Sequence, residues 1–345
     1  MRWGLIAAGA ALLAPVEARA DCAAAIAYSD AHGGAAVLVV ENGRVKCRAP
    51  QGEERAYELA SGTKSVVGLA AAAAVQDGLL ALDEPVSDTL TEWRANPLKK
   101  DATIRQLLSM TAGLRSQVGR PPGYAEAAAM PFTAAPGERF QYGPAPMQVF
   151  GELMNRKLAA KGRDADVQAY VERRIFAPIG FRYAEWRKGP DGRALLPQGL
   201  VVAASEWAKL GGLVLDGGRV GGKPIVDPAA FAALFQGTNA NPTYGLTWWL
   251  AKGPPSPDRV TRTFDVGAHA AELPSDLAAA AGAGNQRLYV IPSRHMMAVR
   301  QARIGLGALA RLGPRAGGQT AAPDRWSDTA FLQALFAPAA AVKPR

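Results

Sequence analysis

The sequence predicts an α/β chain of the α+β kind: an antiparallel sheet built from both chain ends, flanked by helices, with a mainly helical insertion between them. Three observations predict it. Near the N-terminus, β-prone runs at 35–40 and 44–48 flank Glu41-Asn42-Gly43, and Asn-Gly is the strongest short hairpin signal. Near the C-terminus, runs at 287–291 and 296–301 are joined by a tight Pro-Ser-Arg turn. Between the two, apolar residues recur at three- and four-residue spacing. A lone hairpin is marginal in water, so both ends must complete one sheet. The expected division is 21–60 plus 240–345 for the sheet part and 61–239 for the helical part, together one unit.

Each element follows in order. Residues 1–20 read as a removable export signal: Arg2 as the positive start, GLIAAGAALLAPV as the apolar core, and Ala18-Arg19-Ala20 as the cleavage site. The apolar run is shorter than the roughly 20 residues that cross a bilayer, so no stable membrane anchor is expected. Arg19-Ala20-Asp21 before Cys22 also lacks the small apolar residues of a lipoprotein site. Export points to the periplasm, an oxidising compartment in which the two cysteines, Cys22 and Cys47, are expected to pair. After a third β run at 55–59, the pattern turns helical over 63–78 and stops at Gly78. A second helix starts at Asp101 or Thr103, with Ile104, Leu107 and Leu108 on one face. AYVERRIFAPIG and ASEWAKLGGLVLDGG are helical too; Ser205 is expected to cap the latter and Gly217-Gly218 to end it. A last helix at 326–336 follows an Ala/Gly/Pro-rich loop.

Charge and composition exclude several functions. The formal net charge is +9, from 39 basic and 30 acidic residues, and loss of the signal lowers it by one. The basic residues are scattered, the densest pairs being Lys99-Lys100 and Arg173-Arg174, so no nucleic-acid partner is expected. His32, His269 and His295 have no metal-site spacing, so neither a metal nor another cofactor is predicted. A Ser-His-Asp triad lacks its G-x-S-x-G elbow. His295 falls in the terminal hairpin turn, and His269 in a loop either at the surface or at the border of a cleft.

One polar quartet, Ser61-Gly62-Thr63-Lys64, opens the alanine-rich helix. Residues three apart on a helix share a face, so the serine and lysine side chains can meet. A serine hydroxyl attacks well only when a base takes its proton. A lysine serves as that base if desolvation lowers its pKa, and a helix N-terminus directs N–H groups at a developing oxyanion. Alone, S-x-x-K is weak, with on the order of one chance match per chain of this length.

Its surroundings strengthen it. TIRQLLSMTAGL, PGERFQYGPAPMQVFGELM, YGLTWWL and GAGNQRLYVIPSRHMMAVR follow in order. Together they resemble the serine hydrolases related to class C β-lactamases and penicillin-binding proteins, over nearly all of the chain from about 35 to 336. The resemblance implies a β-lactamase/transpeptidase-like fold, a small-molecule acyl substrate, Ser61 as acylated nucleophile, Lys64 as its base partner and Tyr142 as a proton shuttle. It also implies an oxyanion hole from the backbone N–H groups of Ser61 and Ala283. Two positions depart from the family pattern. Pro144 replaces the asparagine of Y-x-N, and Ala280-Ala281-Gly282 stands where K-T-G is expected. The obvious anchor for a substrate carboxylate is therefore missing, which resembles the esterase and 6-aminohexanoate-oligomer hydrolase branches and predicts a preference for neutral esters over penicillins. Arg287 is either a replacement cation or an arginine on the outer face of its strand. Ala281, Gly282 and Trp248 are candidate substrate contacts, with Trp248-Trp249 either core or pocket wall. The loops at 116–135 and 252–275 are expected to shape the pocket. The predicted activity is ester or amide hydrolysis through Ser61; β-lactamase or D,D-peptidase-like activity, or a silent binding protein on the same scaffold, remain as alternatives.

Overall fold

The computed structural model describes residues 22–252, 264–303 and 326–337; the expected export signal at 1–20 lies outside them. The chain opens with α1 (Cys22–Ala31) and the hairpin β1 (Gly34–Glu41) and β2 (Arg44–Ala49). Asn42 and Gly43 take φ of 52° and 71°, the left-handed values that this tight turn requires. The 55–59 run shortens to β3 (Tyr57–Glu58), and a single 3₁₀ turn, Ala60–Thr63, leads into α2 (Lys64–Gln76). Gly78, with φ of 64°, ends that helix in the left-handed conformation.

Next come α3 (Ile104–Leu108), α4 (Tyr124–Ala129), α5 (Ala145–Ala160) and α6 (Val167–Val171), the last running on into a π turn over Glu172–Phe176. Thr103 rather than Asp101 starts α3, because its side chain and that of Gln106 form a reciprocal capping box. Then follow β4 (Glu185–Trp186), β5 (Leu200–Val202) and α7 (Ala204–Leu215). The hairpin β6 (Arg219–Val220) and β7 (Lys223–Pro224) precedes α8 (Pro228–Ala233). The chain returns to strands with β8 (Trp249–Leu250), β9 (Ala278–Gly282), β10 (Gln286–Ile291) and β11 (Met296–Ala302), and α9 (Asp328–Phe336) is its last described helix.

The main sheet has the order β2-β1-β11-β10-β9-β8 and is antiparallel throughout, so β1 from the N-terminal hairpin lies beside β11 from the C-terminal one. Helices α1 and α9 cover one face: the Tyr289 ring stacks on Phe331 of α9 at 5.8 Å. The other face packs on α7, where a Cβ on Gly211 would lie 3.0 Å from Leu288 Cδ1. A helix from the middle of the chain thus supplies a layer of the sheet part. β3 does not join the main sheet; it pairs with β5 in a small sheet of order β3-β5-β4.

One local expectation changes: Ser205 does not cap α7. Ala203 is the N-cap residue, and the Glu54 carboxylate reaches in from the loop after β2 to accept from the Ser205 N–H at 3.2 Å and from its hydroxyl. A carboxylate at a helix start does the same work as a capping side chain and also suits the helix dipole. Helix α2 is buried on every side from Lys64 to Ala74. Its alanines allow neighbours to approach on all sides, and at Gly68 a Cβ would lie 2.4 Å from Thr247 Oγ1.

Candidate active site

Ser61 lies in the 3₁₀ turn between β3 and α2, and Lys64 is the first residue of α2. The tight turn followed by the helix brings their side chains together, with Lys64 Nζ 2.9 Å from Ser61 Oγ. As an ammonium Lys64 donates to that oxygen; as a neutral amine it accepts the hydroxyl proton. Ala60, directly before the serine, is held at φ of 47°, a left-handed conformation that costs an alanine on the order of 1 kcal/mol. The buried walls of α2 over-determine that turn, and Ser61 is set at its exposed corner, partly accessible where Lys64 is 3% exposed.

Burial has a direct electrostatic consequence. Desolvation disfavours the ammonium and lowers the Lys64 pKa from 10.5 to about 7. The amine is held by a second contact, donating to the Pro197 carbonyl at 2.9 Å. Sequence reasoning had no means to find Pro197, since the contact uses a backbone oxygen 133 residues away.

Tyr142 closes the other side. Lys64 Nζ lies 4.9 Å from the centre of its ring. The ring is 7% exposed and belongs to an aromatic cluster with Phe140, Tyr244 and Trp249, at centroid distances of 6.3, 6.0 and 5.6 Å. The structure thus brings Ser61, Lys64 and Tyr142 together. It does not bring Trp248, which is fully buried against Phe235 at 5.7 Å. Side chains alternate along a strand, so its neighbour Trp249 is the indole beside Tyr142. Tyr244 was also missed; its hydroxyl is buried with no hydrogen-bond partner among the described residues, and desolvation raises its pKa well above 10.

Strand β9 meets the Ser61 turn at Gly282. A Cβ there would lie 2.0 Å from the Leu59 carbonyl oxygen and 3.0 Å from the Gly62 nitrogen, so only glycine fits. This close approach puts the backbone of the following residue, Ala283, next to the serine turn. Ala281 pairs with Arg287, whereas Gly282 pairs with Gln286. Paired residues share a face and neighbours alternate, so the Ala281 methyl points away from Ser61 and any substrate contact by Ala281 is through its backbone.

Arg287 lies on the face of β10 away from Ser61, the outer-face reading, but α9 covers that face, so the guanidinium is buried and not a free cation. It is 2% exposed, and its Nε lies 2.5 Å from Asp328 Oδ1 on α9 while Nη1 donates to the Gly282 carbonyl at 2.9 Å. His269 is exposed and bonds Glu272 at 2.8 Å; that contact raises its pKa. Among the described residues, no three His, Cys, Asp or Glu side chains converge as a metal site would require, and no helix is long and apolar enough to cross a membrane.

Comparison with known proteins places the fold. The Beta-lactamase family model matches residues 19–329. A protein of Alkalihalophilus pseudofirmus, described as uncharacterised, is 25% identical over 276 residues, covering 72% of this chain and 74% of that one. EstCE1, a hydrolase with promiscuous acyltransferase activity, shares the fold with a TM-score of 0.62 at 18% identity, over 84% of this chain and 96% of its own. A penicillin-binding-protein homologue from Caulobacter crescentus does so with a TM-score of 0.60 at 19% identity, over 84% and 95%. With the family match spanning the sheet, the helical middle and the Ser61 turn, the chain belongs to the beta-lactamase family.

Proposed function

We propose that the protein is an exported serine hydrolase that cleaves esters or amides through an acyl-enzyme on Ser61. The observation that carries the reading is the 2.9 Å contact between Ser61 Oγ and a buried lysine whose pKa is lowered to about 7. A lysine with that pKa is substantially neutral at physiological pH and able to take the serine proton as Oγ attacks the substrate carbonyl. The Ser61 and Ala283 N–H groups receive the oxyanion. Tyr142 passes the proton to the leaving group, and water then releases the acyl group by the reverse sequence. Export is supported by the Cys22–Cys47 disulfide, which links α1 to β2.

No lysine or hydroxyl stands on β9 at Ala280-Ala281-Gly282, and Arg287 is committed to Asp328. A carboxylate next to the scissile bond therefore finds no side-chain cation on that strand, and short neutral esters are expected to outrun penicillins. Labelling with a fluorophosphonate tests the reading and separates it from a silent binding protein. One adduct, mapped to Ser61 and lost together with ester turnover in Ser61→Ala, is the expected outcome. An adduct on another serine, or none, rejects it.

A further inference from the structure

The segment Tyr142-Gly143-Pro144 joins the Lys64 contact to a cavity. Tyr142 meets Lys64. Two residues on, Pro144 and Ala145 line an open cavity of about 330 Å³, with the loop at 115–122 as another of its walls. The walls are fastened to each other. The Ala145 N–H donates to Ser116 Oγ at 3.1 Å, Gln141 Nε2 donates to the Ser116 carbonyl at 2.9 Å, and a Cβ on Gly143 would lie 2.0 Å from Ser116 Oγ. The segment that carries Tyr142 is thus tied to the loop that forms the facing wall of the cavity.

Its lining carries Arg115 and Arg120 and no carboxylate. Neither guanidinium is in an ion pair among the described residues, whereas Arg105 and Arg174 are tied to Asp83 and Asp77. Two unneutralised cations on one concave surface repel each other. A carboxylate between them removes the repulsion and gains the forked hydrogen bonds that guanidinium geometry favours. Val118, Met130 and Pro131 supply apolar surface in the same cavity, suited to a short methylene chain. The volume is at the low end for a ligand pocket.

We propose that this cavity is a subsite for a carboxylate carried by the substrate several bonds from the scissile bond, so that the preferred substrates are short-chain esters or amides ending in a carboxylate. The proposal rests on the assignment of Ser61 as nucleophile. It moves the substrate's anionic anchor from β9, where the side chains are lost, to the cavity beside Pro144.

The test measures kcat/KM for 4-nitrophenyl butyrate, for the 4-nitrophenyl monoester of glutaric acid, and for an acetate ester whose alcohol part ends in a carboxylate, against its neutral analogue. Wild type is expected to favour at least one carboxylate-bearing substrate by about tenfold, the value of one charge-assisted contact. The preference should shrink at 0.5 M salt, as an open site requires, and should invert in Arg115→Glu/Arg120→Glu. The substrate that responds identifies whether the carboxylate sits on the acyl or the alcohol side. Loss of all turnover in Ser61→Ala tests the underlying hydrolase assignment separately. If no ester is turned over, saturation-transfer NMR with monomethyl glutarate reads the cavity directly, and the charge-reversed variant must lose the signal. Identical charge preference in wild type and the charge-reversed protein, or identical binding of monomethyl glutarate, overturns the proposal.

Discussion

A lysine that takes a proton from serine must itself be unprotonated near neutrality, and Lys64 is placed to be so. Burial lowers its pKa from 10.5 to about 7 because the charged form is the one that loses water. The folded protein therefore binds fewer protons than the unfolded chain between about pH 7 and 10.5. Stability attributable to this group rises with pH through that window, and its full cost is present below about 7. Activity is expected to follow the same protonation. kcat/KM should fall on the acid side, with a midpoint near 7 set by Lys64. A pH–rate profile that stays flat down to pH 5 contradicts Lys64 as the base. Lys64→Arg sharpens the point: arginine keeps the positive charge and cannot lose a proton in this range, so the rate should drop by about 10²–10⁴-fold.

At the scale of elements, the site depends on how closely β9 approaches the turn before α2. Gly282→Ala would set a methyl 2.0 Å from the Leu59 carbonyl oxygen, which is backbone and cannot swing aside. Strand and turn must separate, moving Ala283 away from Ser61. The expected result is a loss of about 1–3 kcal/mol of stability with a drop in kcat of about 10²–10³-fold, the value of one oxyanion-hole donor. Denaturant melts alongside steady-state rates check both numbers, and an unchanged kcat refutes the role of the contact. Arg287 gives the opposite pattern. It joins β10 to α9 through a buried pair with Asp328, whose side chain is fully buried. Arg287→Met should cost about 3–5 kcal/mol by leaving that carboxylate unpaired. The ratio of rates on carboxylate-bearing and neutral esters should not change. A selective loss of the anionic substrate would restore Arg287 as a substrate cation. What the sequence shows here, and what it hides, follows from the range of the interactions. Asn42-Gly43, the Thr103 capping box and the Ser61–Lys64 spacing are local chemistry, legible within a few residues. The Pro197 carbonyl, the Glu54 cap on α7, the Asp328 partner of Arg287 and the choice of Trp249 over Trp248 arise only when distant segments meet. The composition of α2 was visible, but its burial on all sides depends on the layers around it.

For the whole molecule, the question is what ties the start of the described chain to the sheet. The Cys22–Cys47 disulfide joins the first turn of α1 to β2, closing a loop with a sequence separation of 25. That loop contains β1, which also pairs with β11 from the other chain end. The cross-link therefore restricts, in the unfolded chain, the segment that must find its partner across nearly the whole sequence. In the chain-entropy account, a loop of this length contributes roughly 3 kcal/mol. Cys22→Ser/Cys47→Ser should lower Tm by about 5 °C, taking the shift per kcal/mol seen for domains of a few hundred residues. Catalysis should be spared. Helix α1 covers the face of the sheet opposite α7, while Ser61 and Gly282 meet on the α7 side. kcat/KM for a short ester is thus expected to stay within about twofold below the melting range. Differential scanning calorimetry and non-reducing peptide mapping on the same preparation read the two halves of the argument. Two alkylatable thiols in the wild-type protein remove the cross-link. A variant that melts normally but loses activity would instead mean that α1 reaches the site through the sheet.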